Sequence, residues 1–203
     1  MNRSARRHSP FLVVVSSPSG AGKTSICRGV VKRDPNLAYS VSATTRPKRK
    51  GEADGRSYYF CSESEFARLV KQKKLLEHAR VYGHSYGTPR AHVLEQINKG
   101  RDVIADLDVK GMRSCRKKLP GTVAVLITTP DLEVLARRLR TRNTDSDETI
   151  RRRHAETRTE LAAIPEFDYV VVNDRLERAI EDVRAIVEAE RLRTSRLRKV
   201  KGR

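Results

Sequence analysis

The chain has 203 residues, of which 33% are charged and 37% hydrophobic, with a formal net charge of +18. That length suffices for one domain with a sizeable core. Its longest apolar runs, FLVVV at 11–15 and VAVLI at 123–127, exclude a membrane-spanning helix, which needs ~20 apolar residues.

The opening MNRSARRHSPFLVVV is basic and then apolar, but its patch is shorter than the ~7–15 residues of a secretory signal and no small-residue cleavage site closes it. No export is expected, and a cytoplasmic setting follows. The three cysteines, Cys27, Cys61 and Cys115, form no CxxC pair, so they read as reduced thiols rather than a disulfide framework or a zinc site. Three arginines fall in residues 1–8 and seven basic residues in 191–203, neither stretch containing an acid. Ten of the eighteen net charges therefore sit at the ends, and eight remain on 9–190. The ends read as solvated basic tails able to hold polyanions weakly. No specific nucleic acid is expected, because neither tail has an aromatic residue on which a base could stack.

In chain order, FLVVV at 11–15 is a strand buried on both faces. It runs into SSPSGAGKTS, residues 16–25, and a helix over 24–33. Residues 39–62 are polar, turn-rich and aromatic-tipped, and read as short antiparallel strands inserted on the main sheet. Helices follow at 63–73 and 89–99. VIADL at 103–107 and VAVLI at 123–127 are further buried strands. Helices are expected at 131–142 and 147–163, within the densely charged run 137–158. YVVV at 169–172 is a strand, and 175–192 a helix. Strands alternating with helices imply βαβ units and a parallel sheet.

The loop Ser17–Pro18–Ser19–Gly20–Ala21–Gly22–Lys23–Thr24 fits the phosphate-binding pattern G-x-x-x-x-G-K-[ST], with Ser17 in place of the first glycine. Glycines let backbone N–H groups close around phosphate oxygens at a helix N-terminus. Lys23 would reach the β and γ phosphates of ATP, and the Thr24 hydroxyl would meet Mg²⁺. A switch hydrolase would place a glutamine after an Asp-x-x-Gly, and none follows the DLDVKG fragment at 106–111. A kinase needs a second pocket for the acceptor. Arg46 and Arg49, suited to gripping a phosphate monoester, and the hydroxyls of Tyr58 and Tyr86 would build it.

The stretch SATTRPKRKGEADGRSYYF at 42–60 resembles the monophosphate-binding insert of guanylate kinases. LLEHARVYGHSYGTPR at 75–90, DLDVKG at 106–111, RRLRTRNTDSDETIRRR at 137–153 and VVND at 171–174 resemble the same family, in its order and spacing, over about residues 11–187. The resemblance implies a three-layer α/β P-loop kinase fold around a five-stranded parallel sheet. Its core is 9–41, 95–133 and 161–190, with a small mixed GMP-binding insert at 42–94, a helical lid at 134–160 and tails at 1–8 and 191–203. It implies phosphoryl transfer from ATP to GMP, with dGMP a second acceptor, in guanine nucleotide supply. The chain would act as a monomer or homodimer.

Residue by residue, the resemblance puts the acceptor phosphate on Arg46, Arg49, Tyr58 and Tyr86. It puts guanine on Ser42, Glu77, Thr88 and either Asp106 or Asp108. The lid arginines Arg138, Arg142 and Arg153 would hold the ATP phosphates and the moving group, and Asn173 would lie near adenine. Catalysis would then rest on Lys23, Arg46 and the three lid arginines. A carboxylate at 77 suits guanine independently, because N1–H and the exocyclic amine are adjacent donors, whereas adenine would leave it unpaired. Ser42, Glu77 and Thr88 together argue against a sugar-phosphate kinase on this scaffold. Lys23 and the lid arginines argue against a non-catalytic scaffolding module.

Overall fold

The computed structural model describes residues 8–81, 83–131 and 160–197. Five parallel strands form the central sheet: β1 (Leu12–Ser16), β2 (Leu37–Tyr39), β7 (Asp102–Asp106), β8 (Val123–Thr128) and β9 (Tyr169–Val172). Their spatial order is β2-β7-β1-β8-β9, with Val14 opposite both Ala105 and Ala124. Alternate residues of β1 enter two different cores. Val13 and Val15 pack with Ile26, Cys27, Ile104, Val125 and Val183. Leu12 and Val14 pack with Leu76, Val93, Val103 and Met112. Burial on both faces is why this strand is continuously apolar rather than alternating. Helices α1 (Lys23–Arg33) and α5 (Leu176–Arg191) cover the first face, and α3 (Arg90–Asn98) and α4 (Val109–Lys118) the second. Gly29 lets α1 and α5 meet: a Cβ there would lie 2.3 Å from the Ile180 Cδ1.

A second, four-stranded sheet carries the insert, in the order β4-β3-β6-β5. It comprises β3 (Ala43–Thr44), β4 (Tyr59–Phe60), β5 (Leu75–Val81) and β6 (His84–Pro89), with α2 (Glu63–Lys71) against it. The expected antiparallel pairing within 39–62 is corrected here. β3 and β4 run parallel, Ala43 opposite Tyr59, and antiparallel partners come from β6. The long loop 45–58 carries the chain back to the start side of β3, so a hairpin cannot form between them. β5 ties the two sheets together: Leu75 enters the insert core with Ala43 and Phe66, while Leu76 enters the main core. From α4, Ser114 and Lys118 donate to the carbonyls of Leu76 and Leu75 at 2.7 and 3.1 Å.

The described part of the C-terminal segment, 191–197, packs on the domain, where a solvated basic tail was expected. Arg191 pairs with Asp34 at 2.8 Å and with the buried Asp102 at 2.7 Å. Arg196 pairs with the buried Glu190 at 3.0 Å and lies 4.1 Å over the Phe11 ring. Ser9 N–H donates to the Arg196 carbonyl at 2.7 Å, and His8 bridges to Leu197. These arginines are held because Asp102 and Glu190 are each only 1% exposed, and buried charges require partners. No helix among the described residues is long and apolar enough to cross a membrane.

Candidate active site

The loop after β1 folds as the glycine pattern requires. Gly20 and Gly22 have φ of 89° and 91°, a left-handed conformation that costs a side-chain-bearing residue ~1–2 kcal/mol. Lys73 is the one non-glycine residue with positive φ among those described. Position 17 therefore needs no glycine, and Ser17 is buried with its hydroxyl donating to the Pro18 carbonyl at 3.0 Å. Gly22 caps α1, which presents Lys23 and Thr24 in its first turn and contains no acid there. The N-terminal partial charge of the helix is left for an anion. Asn173, just past β9 and buried, donates from its side-chain amide to the Ala21 carbonyl at 2.8 Å and braces this loop from below.

Asp106, the last residue of β7, and Leu107 after it face the loop. The Thr24 hydroxyl donates to an Asp106 oxygen at 2.5 Å, and the Tyr39 hydroxyl to the other at 2.6 Å. Lys23 Nζ donates to the Leu107 carbonyl at 3.0 Å. Asp108 caps α4, accepting the Gly111 N–H at 2.7 Å. Glu77, on β5, is 8% exposed and accepts the hydroxyl of the fully buried Thr88 at 2.6 Å. Burial pushes the Glu77 carboxyl above the usual glutamate range, the Thr88 hydroxyl opposes this, and the charge of Asp108 adds to it. Gly111 makes room for the pair: a Cβ there would sit 3.2 Å from an Asp108 oxygen and 3.4 Å from Glu77 Cγ.

A cavity of about 240 Å³ joins these groups, lined at one end by Lys23, Thr24 and Asp106 and at the other by Ser42, Glu77 and Asp108, with Tyr58 and Tyr86 between. The two tyrosine rings meet edge-on at 6.0 Å. Arg46 borders the cavity without lining it. Its guanidinium lies 5.3 Å from the Tyr58 ring centre and pairs with Glu52 at 2.6 Å, which holds the Glu52 carboxyl below its usual range. Arg49 is exposed, its backbone N–H donating to Glu52 at 2.8 Å. Arg138, Arg142 and Arg153 lie outside the described residues.

Arg28, Tyr39, Ser40 and Ser57 also line the cavity and were not singled out from sequence. Two signals were present. Arg28 stands four residues after Thr24, on one helix face, and Ser40 precedes Ser42 by the strand period. A larger groove of about 590 Å³ runs along β9 and α5, but it contains no part of the glycine loop.

A parallel sheet with a phosphate-binding loop at one end of a cavity, and a buried hydrogen-bonding carboxylate at the other, defines a P-loop phosphotransferase. The family profile described as Guanylate kinase matches residues 9–190. The guanylate kinase of Carboxydothermus hydrogenoformans is 46% identical over 190 residues, covering 94% of this chain and 93% of its own. That of Symbiobacterium thermophilum is 46% identical over 186 residues, covering 92% and 88%. The crystal structure of guanylate kinase from Anaplasma phagocytophilum has a TM-score of 0.75 at 30% identity, covering 93% of this chain and 90% of that one. The chain belongs to the guanylate kinase family.

Proposed function

We propose that the chain transfers the terminal phosphoryl group of ATP to GMP within this cavity, yielding ADP and GDP. The observation that carries the reading is Glu77, buried and held by Thr88, facing the same cavity as Lys23. Glu77 would accept from guanine N1–H and N2–H, with Ser42, Thr88 and Asp108 completing the base site. Asp106 belongs instead to the phosphate end, beside Thr24. Tyr58 and Tyr86 would bind the acceptor phosphate, with the Arg46 guanidinium turning to it from Glu52 and the exposed Arg49 side chain reaching it from the loop. None of these contacts uses the ribose 2′-hydroxyl, so dGMP is a second acceptor. Three free thiols suit a reducing cytoplasm.

The chemistry needs alignment and positive charge more than covalent help. The backbone N–H groups of Ser19, Gly20, Gly22, Lys23 and Thr24, with the Lys23 side chain, would hold the ATP phosphates, Lys23 leaving the Leu107 carbonyl to do so. A hydroxyl and a carboxylate 2.5 Å apart at Thr24 and Asp106 are hard oxygen donors of the kind Mg²⁺ takes one or two of, alongside phosphates. Bound there, Mg²⁺ would neutralise charge on the phosphates. Arg138, Arg142 and Arg153 would add charge over the moving group. Initial rates with Mg-ATP and each of GMP, AMP, CMP and UMP test the reading. Turnover of GMP well above the others is expected, and an enzyme that leaves GMP unphosphorylated would refute it.

A further inference from the structure

Asp106 ends β7 opposite Val15, on the face of the sheet that α1 covers. Tyr39 ends β2 opposite Ile104, two residues before Asp106. Side chains two apart on a strand share a face, so the Tyr39 ring lies under α1 and its hydroxyl reaches along to the carboxylate. Asp106 is thus gripped from both sides, by Tyr39 on Oδ1 at 2.6 Å and by Thr24 on Oδ2 at 2.5 Å. A carboxylate's terminal torsion is otherwise broad, and two short charge-assisted bonds fix its plane.

We infer that Tyr39 is a positioning residue for the metal end of the site, holding Asp106 so that its free lone pairs and the Thr24 oxygen face the phosphate loop together. This rests on the reading of Thr24 and Asp106 as the Mg²⁺ pair. Tyr39 also lines the acceptor cavity, so its hydroxyl has a competing use, as a ligand of GMP. The two uses differ in which affinity they set.

Tyr39→Phe keeps the ring and removes the bond. Mn²⁺, which takes the same oxygen ligands as Mg²⁺, is titrated into enzyme with ATP while free ion is followed by electron paramagnetic resonance. GMP binding is measured separately by calorimetry, and the thermal midpoint is recorded. Loss of a partner behind a metal ligand typically costs ~10–100-fold in metal affinity. About a tenfold weakening of Mn²⁺ is expected, with GMP affinity changed less than about twofold. Asp106→Asn serves as reference. If it weakens Mn²⁺ and Tyr39→Phe does not, the Tyr39 inference is overturned and the metal reading stands. If neither variant weakens it, both fall. A Tyr39→Phe enzyme that loses GMP affinity, or only thermal stability, with Mn²⁺ binding intact would equally overturn the inference.

Discussion

Replacing Glu77 with glutamine probes base recognition with almost no change in shape. In the native side chain one oxygen accepts from Thr88 at 2.6 Å, and the group is 8% exposed, so water cannot substitute for a lost partner. Glutamine has two arrangements. With its oxygen on Thr88, its NH₂ confronts both guanine donors. With its oxygen on guanine N1–H, its NH₂ faces Thr88, whose hydroxyl can rotate to accept. The second is cheaper, and it turns two charge-assisted bonds to guanine into a single neutral one. With ~1.5–3 kcal/mol for each charge-assisted bond and ~0.5–1.5 for a neutral one, the loss is about 2.5–4.5 kcal/mol. That corresponds to a fall of about 70- to 2000-fold in kcat/KM for GMP. Adenine N1 is an acceptor, which glutamine's NH₂ satisfies, so AMP should not suffer the same loss. On the proposed reading the base would bind at Glu77, away from the phosphates held at Lys23, so KM should carry most of the change and kcat little. Coupled assays of ADP release give both constants for both nucleotides. A GMP-to-AMP ratio of kcat/KM within about threefold of the parent would show that Glu77 does not read the base.

The raised Glu77 carboxyl predicts a pH effect with opposite signs for binding and folding. A protonated Glu77 cannot accept both guanine donors, so kcat/KM for GMP should fall as pH drops through a value above the usual glutamate range, and Glu77→Gln should lose that limb. Because the folded chain binds this proton more tightly than the unfolded chain, the same group makes folding more favourable as pH falls through that window and less so as it rises. Asp102→Asn should destabilise the fold without raising either substrate KM. Asp102 is 1% exposed and accepts from His8, Phe11 N–H and Arg191 at 3.0, 3.2 and 2.7 Å. Breaking a buried pair costs ~3–5 kcal/mol, reduced to about 2–4 because Arg191 keeps Asp34, and the urea midpoint measures it. Gly22→Ala should weaken ATP binding at least tenfold, roughly 1.4 kcal/mol, as read by titration of a fluorescent ATP analogue. The new Cβ would sit 2.6 Å from Asn173 Nδ2 at a φ of 91°, so either the turn strains or Asn173 releases the Ala21 carbonyl. Unchanged ATP affinity would mean the loop does not form the cradle.

What was legible followed from how strongly local chemistry is constrained. Three of the five core strands, β1, β7 and β8, announced themselves because burial on both faces disfavours polar residues; β9 reads the same way, yet its Val170 and Val172 are each 45% exposed and only Val171 is buried. The fifth, Leu37–Tyr39, has three residues, too few for a period to show. β5 and β6 carry Glu77, His78, Arg80 and His84 among their residues. Their polar faces serve the cavity and solvent, so their alternation breaks down. α4 reads VKGMRSCRKK, with an early glycine and a basic end. It is helical because Asp108 caps it and because Val109, Met112 and Cys115, at helical spacing, reach the core. The phosphate loop was legible because only glycine adopts positive φ cheaply, as Gly20 and Gly22 must. Tyr39 was not, since it is an ordinary residue on a short strand until folding sets it beside Asp106.

The choice between Asp106 and Asp108, open in the sequence, turns on where β7 stops. Had the strand continued, the two aspartates would share a face and compete for one end of the cavity. The strand ends at Asp106, and Leu107 anchors the turn by donating from its N–H to the Val15 carbonyl at 3.0 Å while its own carbonyl accepts Lys23. The next residue then points along a new axis as the cap of α4. One carboxylate is thereby fixed beside Thr24 and the other beside Glu77. The two ends of the cavity, proposed for phosphate and for base, thus hang on the three residues Asp106, Leu107 and Asp108. A change at Leu107 that moved its backbone would therefore disturb both ends together, whereas changes at Asp106 or Asp108 should each disturb one.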